Sequence, residues 1–485
     1  MFWGYNMELL LFELKNVFLP ELTLLIAIAV IFVMELFFSR PLYKMSSRSA
    51  LISTIIPMLS ISTGITHTGY SIFSEAYLQT NFSIVLKLLI LIGTFFSILL
   101  SQNIVKKIRY RAFEYYLIML IGTFSAMCLV SANNFVSMFV AMETLFVSCC
   151  MLIAFWNKYR PKEAAIKFLI NSAVATAIFL FGVSILYGIS GEISFTMLNL
   201  HYYGQDSSVL FMLASTFMII GLMFKTGCVP FQRWVPDVYQ GSPYPVGAYL
   251  SVIPKLAGFG ILARVIGNFV ADMPLMQIVL SFIAILTIAF GFLGAIKQTD
   301  IKRFFGYSSI AHCGFMLLAL SIFSVFGVAS FIYYAVVYLF MNFGAWAAGI
   351  TFVACVGSDN IKDYQGIFYA RPYYTTAFVI CLMALAGLPP TAGFLAKIFL
   401  FSSLTRMDLS GLPVVIIAII LTVYGVFAYM NLIKVLFEKT KIPTVMTSPQ
   451  MNTKIVLYFC TIMTIVTCLF ANQVVWCSMF AALGI

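Results

Sequence analysis

The tract GLMFKTGCVPFQRW (221–234) places a lysine, Lys225, inside an apolar stretch and follows it at once with a glycine and a proline. The tract AGLPPTAGFLAKIF (386–399) repeats the combination, with glycines and prolines just ahead of Lys397. Both residue types interrupt helices and free backbone carbonyl groups. Within a membrane, irregular backbone is tolerated only where it is buried in protein or lines a wet cavity. The two tracts therefore predict two broken membrane helices, each with a buried lysine.

The composition supports a membrane setting. The chain has 485 residues, of which 62% are hydrophobic and 9% charged, and its mean hydropathy is +1.02. A soluble protein is about half apolar and about a quarter charged. These values exclude an ordinary soluble enzyme, a disordered protein and a nucleic-acid-binding protein. The ten cysteines have no zinc or iron–sulfur spacing, and three histidines are too few for a multi-metal site. We therefore expect no metal site in this chain.

Apolar runs divide the chain into fourteen predicted spans, each close to the length of roughly 20 residues that a bilayer requires. The spans are 18–39, 49–66, 82–102, 113–131, 134–156, 163–188, 208–235, 243–268, 275–296, 304–323, 328–356, 372–403, 411–435 and 454–478. As one unbroken helix, the twelfth would be about 48 Å long and would exceed the hydrocarbon core of roughly 30 Å. A break near 387–393 is expected there. The prediction is an all-α polytopic membrane protein with about 14 transmembrane helices.

The distribution of basic residues predicts the orientation. Twenty of the 28 lysines and arginines lie in alternate connections, and three are assigned to the opposite set: Lys15, Arg264 and Arg406. Lysine and arginine accumulate on the cytoplasmic side of membrane proteins. With fourteen spans, both termini are then expected on the periplasmic or intermembrane side. The net charge of +11 reflects this topology rather than a binding surface.

The remaining five basic residues, together with a glutamate and a histidine, lie inside apolar spans. The lysines are Lys87, Lys167, Lys225, Lys255 and Lys397. Lys87 is interpreted as reaching the interface with its long stem. Lys167 either does the same or lines a polar channel. Glu143 is too deep for a carboxylate to reach the interface, and His312 is interpreted either as a hydrogen-bonded core residue or as a relay group.

The two broken spans are five spans apart, which predicts two inverted five-helix repeats of the kind found in transporters. The buried groups Glu143, Lys225, Lys255, His312 and Lys397 then form a candidate path for cations, most simply protons. Burial disfavours the charged form of lysine. A carboxylate 4 Å away at an effective dielectric of about 20 changes that balance by about 4 kcal/mol. No phosphate-binding loop or nucleophile–base pair is present. The sequence also gives no sign of redox chemistry in the chain itself.

Three tracts resemble the antiporter-like subunits of respiratory complex I, the NADH-quinone oxidoreductase. They are KTGCVPFQRWVPDVYQGSPYPVGAYLSVIPK (225–255), QTDIKRFFGYSSIAHCGF (298–315) and LAGLPPTAGFLAKIFLF (385–401). The motif PDVYQGSP (236–243), together with a lysine in the twelfth span, resembles the N-type subunit, which corresponds to mitochondrial subunit 2. The resemblance covers roughly the fourth to the thirteenth span.

The resemblance implies a division of the chain and a set of relay residues. Residues 1–112 would hold helices 1–3, residues 113–268 and 269–437 the first and second antiporter repeats, and residues 438–485 helix 14. The family's relay groups map onto Glu143, Lys167, Lys225, Lys255 and Lys397, with His312 between the two lysine sites. One position departs from the family pattern, because Gln232 stands where the family has a histidine. A proton-uptake role at Gln232 is therefore in doubt.

The implied function is proton translocation coupled to electron transfer from NADH to quinone. NADH, FMN, the iron–sulfur clusters and quinone would lie in partner subunits, with no cofactor in this chain. The expected partners are neighbouring antiporter-like and small hydrophobic subunits and lipids, in a bacterial cytoplasmic or mitochondrial inner membrane. The alternative is a subunit of a multi-subunit Na⁺/H⁺ antiporter or of a membrane-bound hydrogenase. A stand-alone transporter is a third interpretation, but it requires a substrate pocket that the sequence does not indicate.

Overall fold

The computed structural model describes residues 17–37, 43–64, 69–106, 111–156, 158–202, 209–269, 273–405, 411–439 and 449–483. Within these ranges the chain is almost entirely helical. The longer helices are α1 (Leu19–Phe37), α2 (Tyr43–Gly64), α3 (Asn81–Val105), α4 (Ala112–Ser131), α5 (Phe135–Ala154), α6 (Tyr159–Ser190), α8 (Val209–Thr226), α10 (Tyr244–Phe269), α11 (Pro274–Ile296), α12 (Ile301–Ser321), α13 (Val325–Val356), α15 (Pro372–Ala386), α16 (Ala392–Thr405), α17 (Leu412–Phe437), α18 (Met451–Leu469) and α19 (Ala471–Ala482). The short ones are α7 (Phe195–Tyr202), α9 (Trp234–Gly241), α14 (Ile367–Ala370) and a 3-10 turn at Ile361–Tyr364.

The predicted all-α polytopic fold is confirmed, and every predicted span coincides with a helix or with two consecutive helices. In the described part of the chain, twelve helices are long and apolar enough to cross a membrane. Helices suit this environment because they satisfy all backbone hydrogen bonds within one segment. The count of fourteen spans stays a prediction, because it also requires α2 and the two short helices α15 and α16 to cross.

Both predicted helix breaks are present. The seventh predicted span, 208–235, contains α8 and the break after it, and α9 begins at its last two residues and continues to Gly241. The twelfth predicted span is divided into α15 and α16. Each first half ends at a glycine in the left-handed region, Gly227 at φ +81° and Gly387 at φ +79°. Glycine adopts this conformation without the steric penalty that a Cβ atom brings. A glycine therefore ends each half-helix where the sequence predicted the interruption.

The two ends have the same hydrogen-bond pattern. The N–H groups of Gly227 and of the residue after it both donate to the Met223 carbonyl, at 3.1 and 3.0 Å. The N–H groups of Gly387 and of the residue after it both donate to the Met383 carbonyl, at 2.9 and 3.0 Å. This arrangement satisfies carbonyl groups that a helix end otherwise leaves unpaired.

A second pair of backbone contacts recurs at a fixed sequence separation. The Phe135 N–H at the start of α5 donates to the Ile193 carbonyl beyond α6, at 3.1 Å. The Ile301 N–H at the start of α12 donates to the Asp359 carbonyl beyond α13, at 3.0 Å. From 135 to 301 and from 193 to 359 the offset is 166 in both cases, and α6 and α13 both have 32 residues. The segments α5–α6 and α12–α13 thus share one local architecture.

The centre of the molecule is formed by α10 and α12. Nearly every residue of α10 is buried, and α12 is buried along most of its length. Close packing depends on small residues: a Cβ atom at Gly260 of α10 would meet Leu86 of α3 at 2.8 Å. Lys255 of α10 and His312 of α12 therefore lie in the protein interior, at 1% and 0% exposure.

A small hairpin lies over the start of α1 and beside the start of α5. It consists of β1 (Tyr70–Ile72) and β2 (Tyr77–Gln79), paired antiparallel. Its turn residue Glu75 accepts hydrogen bonds from Ser194 at 2.8 Å and Thr196 at 2.7 Å. These two hydroxyl donors lower the pKa of Glu75 below its ordinary value of 4.5. The hairpin is thus fastened to the segment beyond α6.

Candidate functional site: a series of buried titratable groups

The first group of the series is an ion pair between Glu143 of α5 and Lys225 of α8. The Lys225 Nζ atom lies 2.9 Å from Glu143 Oε1. The lysine side chain is 1% exposed and the glutamate side chain 29%. Thr176 of α6 also donates to Glu143 Oε1, at 2.6 Å. The pair lies just before the helix break, so α5, α6 and α8 together hold one carboxylate and one amine.

Lys225 has further partners on its buried side. Its Nζ atom donates to Ser172 Oγ at 2.6 Å and contacts the Ser172 carbonyl at 3.4 Å. The ammonium also lies over the Phe146 ring, 4.3 Å from the ring centroid. Hydrogen bonds and an aromatic face offset part of the desolvation cost of a buried cation. The amine therefore has polar partners besides Glu143 and can stay buried when that contact changes.

The second group surrounds Lys255 of α10. Its Nζ atom donates to Ser309 Oγ of α12. Ser309 in turn contacts the hydroxyl of Tyr338 at 2.9 Å and that of Tyr239 at 3.4 Å. No carboxylate forms an ion pair with Lys255 in the described part of the chain. Hydroxyl groups that can both donate and accept thus connect this amine to α9 and α13.

The third group centres on His312. Its Nδ1 atom lies 2.7 Å from the Tyr334 hydroxyl, and its Nε2 atom lies 3.3 Å from the Tyr429 hydroxyl. Tyr429 also contacts Ser308. Ser308 belongs to the histidine group and Ser309 to the Lys255 group. Because these serines are consecutive residues of α12, the two groups are neighbours along this helix. Both ring nitrogens have a partner that can accept or donate a proton.

Lys397 of α16 closes the series, at 3% exposure. Its Nζ atom donates to the Ala386 carbonyl at 2.7 Å and contacts the Leu385 carbonyl at 3.4 Å. These carbonyls belong to the last turn of α15, where the helix dipole is negative and favours a cation. The ammonium also lies 4.9 Å from the Phe315 ring centroid. The break in the twelfth predicted span thus supplies the partners of this lysine, and no described carboxylate pairs with it.

Two predicted positions lie apart from these groups. Lys167 forms an ion pair with Glu163 at 2.7 Å, and the two side chains are 49% and 41% exposed. The structure therefore does not bring Lys167 into the buried series. Gln232, which departs from the family pattern, is 7% exposed, and its Oε1 atom has no hydrogen-bond partner among the described residues.

The sequence interpretation missed an ion pair near the first span and was wrong about Lys87. Lys87 does not reach the interface: it is fully buried, and its Nζ atom lies 2.8 Å from Glu21 Oε1 of α1. It also donates to the Tyr77 hydroxyl. The available signal was a carboxylate at the start of the first span and a lysine of opposite charge in the third. Only the three-dimensional packing of α1 on α3 and the hairpin brings them together.

Buried Arg264 is a further charge that sequence reasoning assigned wrongly, to a connection between spans. It lies within α10 at 4% exposure. Its guanidinium donates to the Leu78 carbonyl at 3.0 Å and to Thr80 Oγ1 at 3.2 Å. Arg264 therefore fastens the hairpin to the central helix. In the described ranges, no three histidine, cysteine, aspartate or glutamate side chains are grouped as a metal site requires.

Comparison with known proteins identifies the family. Residues 132–425 match the family described as NADH:quinone oxidoreductase/Mrp antiporter, transmembrane. The chain belongs to this family. The matched region contains all five titratable residues of the buried series and both helix breaks. The resemblance predicted from the three tracts is confirmed.

Two curated relatives carry the same name. The NAD(P)H-quinone oxidoreductase subunit 2 of a Synechocystis strain is 34% identical over 434 residues, which cover 87% of this chain and 82% of that protein. The protein of the same name from Gloeothece citriformis is 36% identical over 372 residues, covering 76% and 72%.

Solved structures share the fold. A chain of respiratory complex I from Thermus thermophilus, with bound aureothin, superposes with a TM-score of 0.79 at 26% identity and covers 94% of this chain and 98% of that one. A chain of the Mrp complex from a Dietzia strain has a TM-score of 0.85 at 16% identity, with 96% of both chains covered. At 16% identity this second likeness concerns the fold alone.

Proposed function

We propose that this chain is a proton-translocating membrane subunit of an NADH-quinone oxidoreductase of the complex I type. The observation that carries the proposal is the Glu143–Lys225 ion pair beside a broken helix, with a buried amine and a partly exposed carboxylate, in a chain of this family. Charged groups at membrane depth are costly and usually mark an ion or proton path. The relatives named as subunit 2 of such an oxidoreductase support the choice of complex.

The proton path begins at a polar crevice and follows the buried series. The crevice has a volume of about 220 Å³ and is lined by Glu163, Lys167, Asp237 and Arg303, among others. Lys167 would act at this opening rather than in the interior. From there the path leads to Lys225, then to the Lys255 and His312 groups, and leaves near Lys397.

The electrostatic contact between Glu143 and Lys225 is the switch of this path. At an effective dielectric of about 20, a carboxylate about 4 Å from an amine stabilises its charged form by about 4 kcal/mol. Movement of the carboxylate away from the amine therefore favours release of the proton. Lys225 retains Ser172 as a hydrogen-bond partner in either state. Transfer between the separate groups proceeds through mobile water or side-chain movement, because no described hydrogen bond joins Lys225 to Lys255.

The proposed arrangement in the membrane has two parts. Residues 113–268 and 269–437 form the two inverted repeats, flanked by residues 1–112 and by residues 438–485. The recurring contacts at an offset of 166 and the matching helix breaks support this division. The basic connections lie on the cytoplasmic or matrix side, and both termini lie on the other side. The distribution of lysine and arginine supports that orientation.

A neighbouring membrane subunit covers the outer face of α5. Glu143 is 29% exposed, and on either side of it along the same helix Val140 and Val147 are 56% and 41% exposed. A partly exposed carboxylate at membrane depth is costly against lipid. An antiporter-like or small hydrophobic subunit of the complex is the proposed partner at this face. NADH, FMN, the iron–sulfur clusters and quinone would be held by other subunits, so this chain moves protons and not electrons.

Native purification tests the proposed function. A tagged copy is purified from its own membrane in mild detergent, and the co-purifying chains are identified by mass spectrometry. Flavoprotein and iron–sulfur subunits, together with NADH:quinone activity, are the expected result. Recovery of small hydrophobic antiporter subunits alone, with sodium-dependent proton exchange in vesicles, would refute the proposal and favour a Na⁺/H⁺ antiporter.

A further inference from the structure

A cavity of about 600 Å³ opens beside the connection between α5 and α6. The end of α3, the connection between α9 and α10 and the start of α12 complete its wall. Its volume falls in the range of sites that hold small molecules or lipid head groups. The cavity lies among the connections that carry the excess of basic residues, which positions it at one membrane interface.

The charge of the wall is positive. Lys158, Arg160 and Lys302 line the cavity, and none of the described carboxylates does. Lys302 has a partner, because its Nζ atom lies 3.4 Å from Asp359 Oδ2. Lys158 and Arg160, in contrast, form no ion pair with any carboxylate in the described ranges. Two cations without acidic partners therefore face a cavity that attracts an anion.

The neighbouring crevice is less positive. Its two acidic residues are paired, Glu163 with Lys167 at 2.7 Å and Asp237 with Arg303 at 2.8 Å. Arg160 lines both spaces and is the one further charge in the lining of the crevice. The cavity of about 600 Å³ has three basic residues in its lining and no described carboxylate, so it is the more favourable of the two for an anion.

Aromatic and apolar groups complete the cavity. Trp156 and Tyr159 line it, and these two residue types are enriched where membrane proteins meet the head-group region. The indole Nε1 atom of Trp156 is buried and has no hydrogen-bond partner among the described residues. Ile104 and Pro161 add apolar surface. A hydrogen-bond donor, two cations and an apolar wall match a phosphate group that carries acyl chains.

We propose that this cavity binds the head group of an anionic phospholipid. Lys158 and Arg160 would contact the phosphate, and the Trp156 N–H group would donate to a phosphate or glycerol oxygen. Arg160 suits this role because its planar guanidinium can form two parallel hydrogen bonds to phosphate oxygens. Basic pockets on the cytoplasmic or matrix side of membrane proteins recognise anionic head groups through the same chemistry. The test of this site measures lipid binding directly, so it does not depend on pumping.

Photolabelling of the intact complex tests the site. The complex is reconstituted in phosphatidylcholine vesicles that contain a trace of diazirine-bearing phosphatidylglycerol, and labelled peptides are identified after proteolysis. We expect labelling of the peptide that contains Trp156 and Arg160. The double variant Lys158→Gln/Arg160→Gln should lower it by about tenfold, because each basic residue near a membrane surface adds to anion binding. The matched control Lys297→Gln/Lys362→Gln neutralises two exposed lysines elsewhere and should leave labelling unchanged.

Four outcomes would overturn the proposal. Equal labelling by a phosphatidylcholine probe would show that the cavity does not select anions, and unchanged labelling in the double variant would remove the two cations from the site. Loss of the label in millimolar inorganic phosphate would indicate a free anion, and exclusive cross-linking to another subunit would indicate a protein occupant. If the double variant does not assemble, Trp156→Phe keeps the ring and removes only the N–H group. It should lower labelling about threefold, and full labelling would count against the site.

Discussion

The substitution Glu143→Gln removes the charge of the switch and little else. Glutamine has nearly the same shape and can still accept the hydrogen bond of 2.6 Å from Thr176. The Coulomb attraction across the 2.9 Å contact with Lys225 is about 6 kcal/mol at an effective dielectric of about 20. Solvent at the partly exposed carboxylate screens part of it, which leaves on the order of 4 kcal/mol. Removal of this attraction favours the neutral form of the lysine.

We expect NADH-driven proton pumping by Glu143→Gln to fall to about a tenth or less, because the lysine loses the group that sets its protonation. The assay is fluorescence quenching of an acridine dye in native membrane vesicles, normalised to the amount of assembled complex. The variant Glu143→Asp keeps the charge and should recover part of the activity. The control Glu114→Gln removes the carboxylate of the exposed pair with Arg111, which water already screens and which lies outside the proposed path, and should pump normally. Pumping by Glu143→Gln at the wild-type rate would refute the switch.

Three further predictions concern other parts of the chain. The variant Lys87→Met leaves Glu21 buried without its ion-pair partner, so it should destabilise the complex by about 3–5 kcal/mol. The double variant Lys87→Met/Glu21→Gln should recover most of the lost thermal stability. An equal fall of the thermal midpoint in both variants would contradict this. The substitution Gly387→Ala forces an alanine into the left-handed region, at a cost of about 1–2 kcal/mol. Its Cβ atom would lie 2.8 Å from Lys397 Nζ, so pumping should fall while the complex still assembles. Pumping at the wild-type rate would show that Lys397 does not depend on the geometry of the helix break. Because its pKa is lowered, Glu75 stabilises the hairpin at neutral pH and loses this effect as the pH falls below 4.5. After correction for the pH dependence of intrinsic amide exchange, hydrogen-exchange protection of the hairpin should fall on acidification in the wild type and stay constant in Glu75→Gln; parallel profiles would exclude this role.

The fold was largely predictable because a membrane simplifies the folding problem. Apolar length and polar punctuation locate helices, and every predicted span coincides with one or two helices. The breaks at Gly227 and Gly387 were predictable from a local rule, since glycine and proline interrupt helices at membrane depth. The second helix, Tyr43–Gly64, was harder to assign because its composition is only weakly apolar.

The partners of the buried charges were not predictable to the same degree. Spacing along the chain does not show that Glu143 contacts Lys225, 82 positions further on, or that Lys397 has backbone carbonyls as partners. The prediction that Lys87 reaches the interface considered its side chain alone. It was wrong because Glu21 lies opposite the lysine and forms an ion pair with it. Lys167 lay close enough to the end of its span for either a surface or a channel position. Pairing between helices depends on packing, which hydropathy does not record.

Proton pumping by Lys225→Met is the most direct test of the central claim that the buried lysines carry the protons. The protons translocated per NADH oxidised are measured in native vesicles, beside the exposed control Lys297→Met and with the complex content determined for each. We expect a normal amount of complex and a strong loss of pumping in Lys225→Met, with the control unchanged. Coupled proton transfer at the full rate without the Lys225 amine would contradict it.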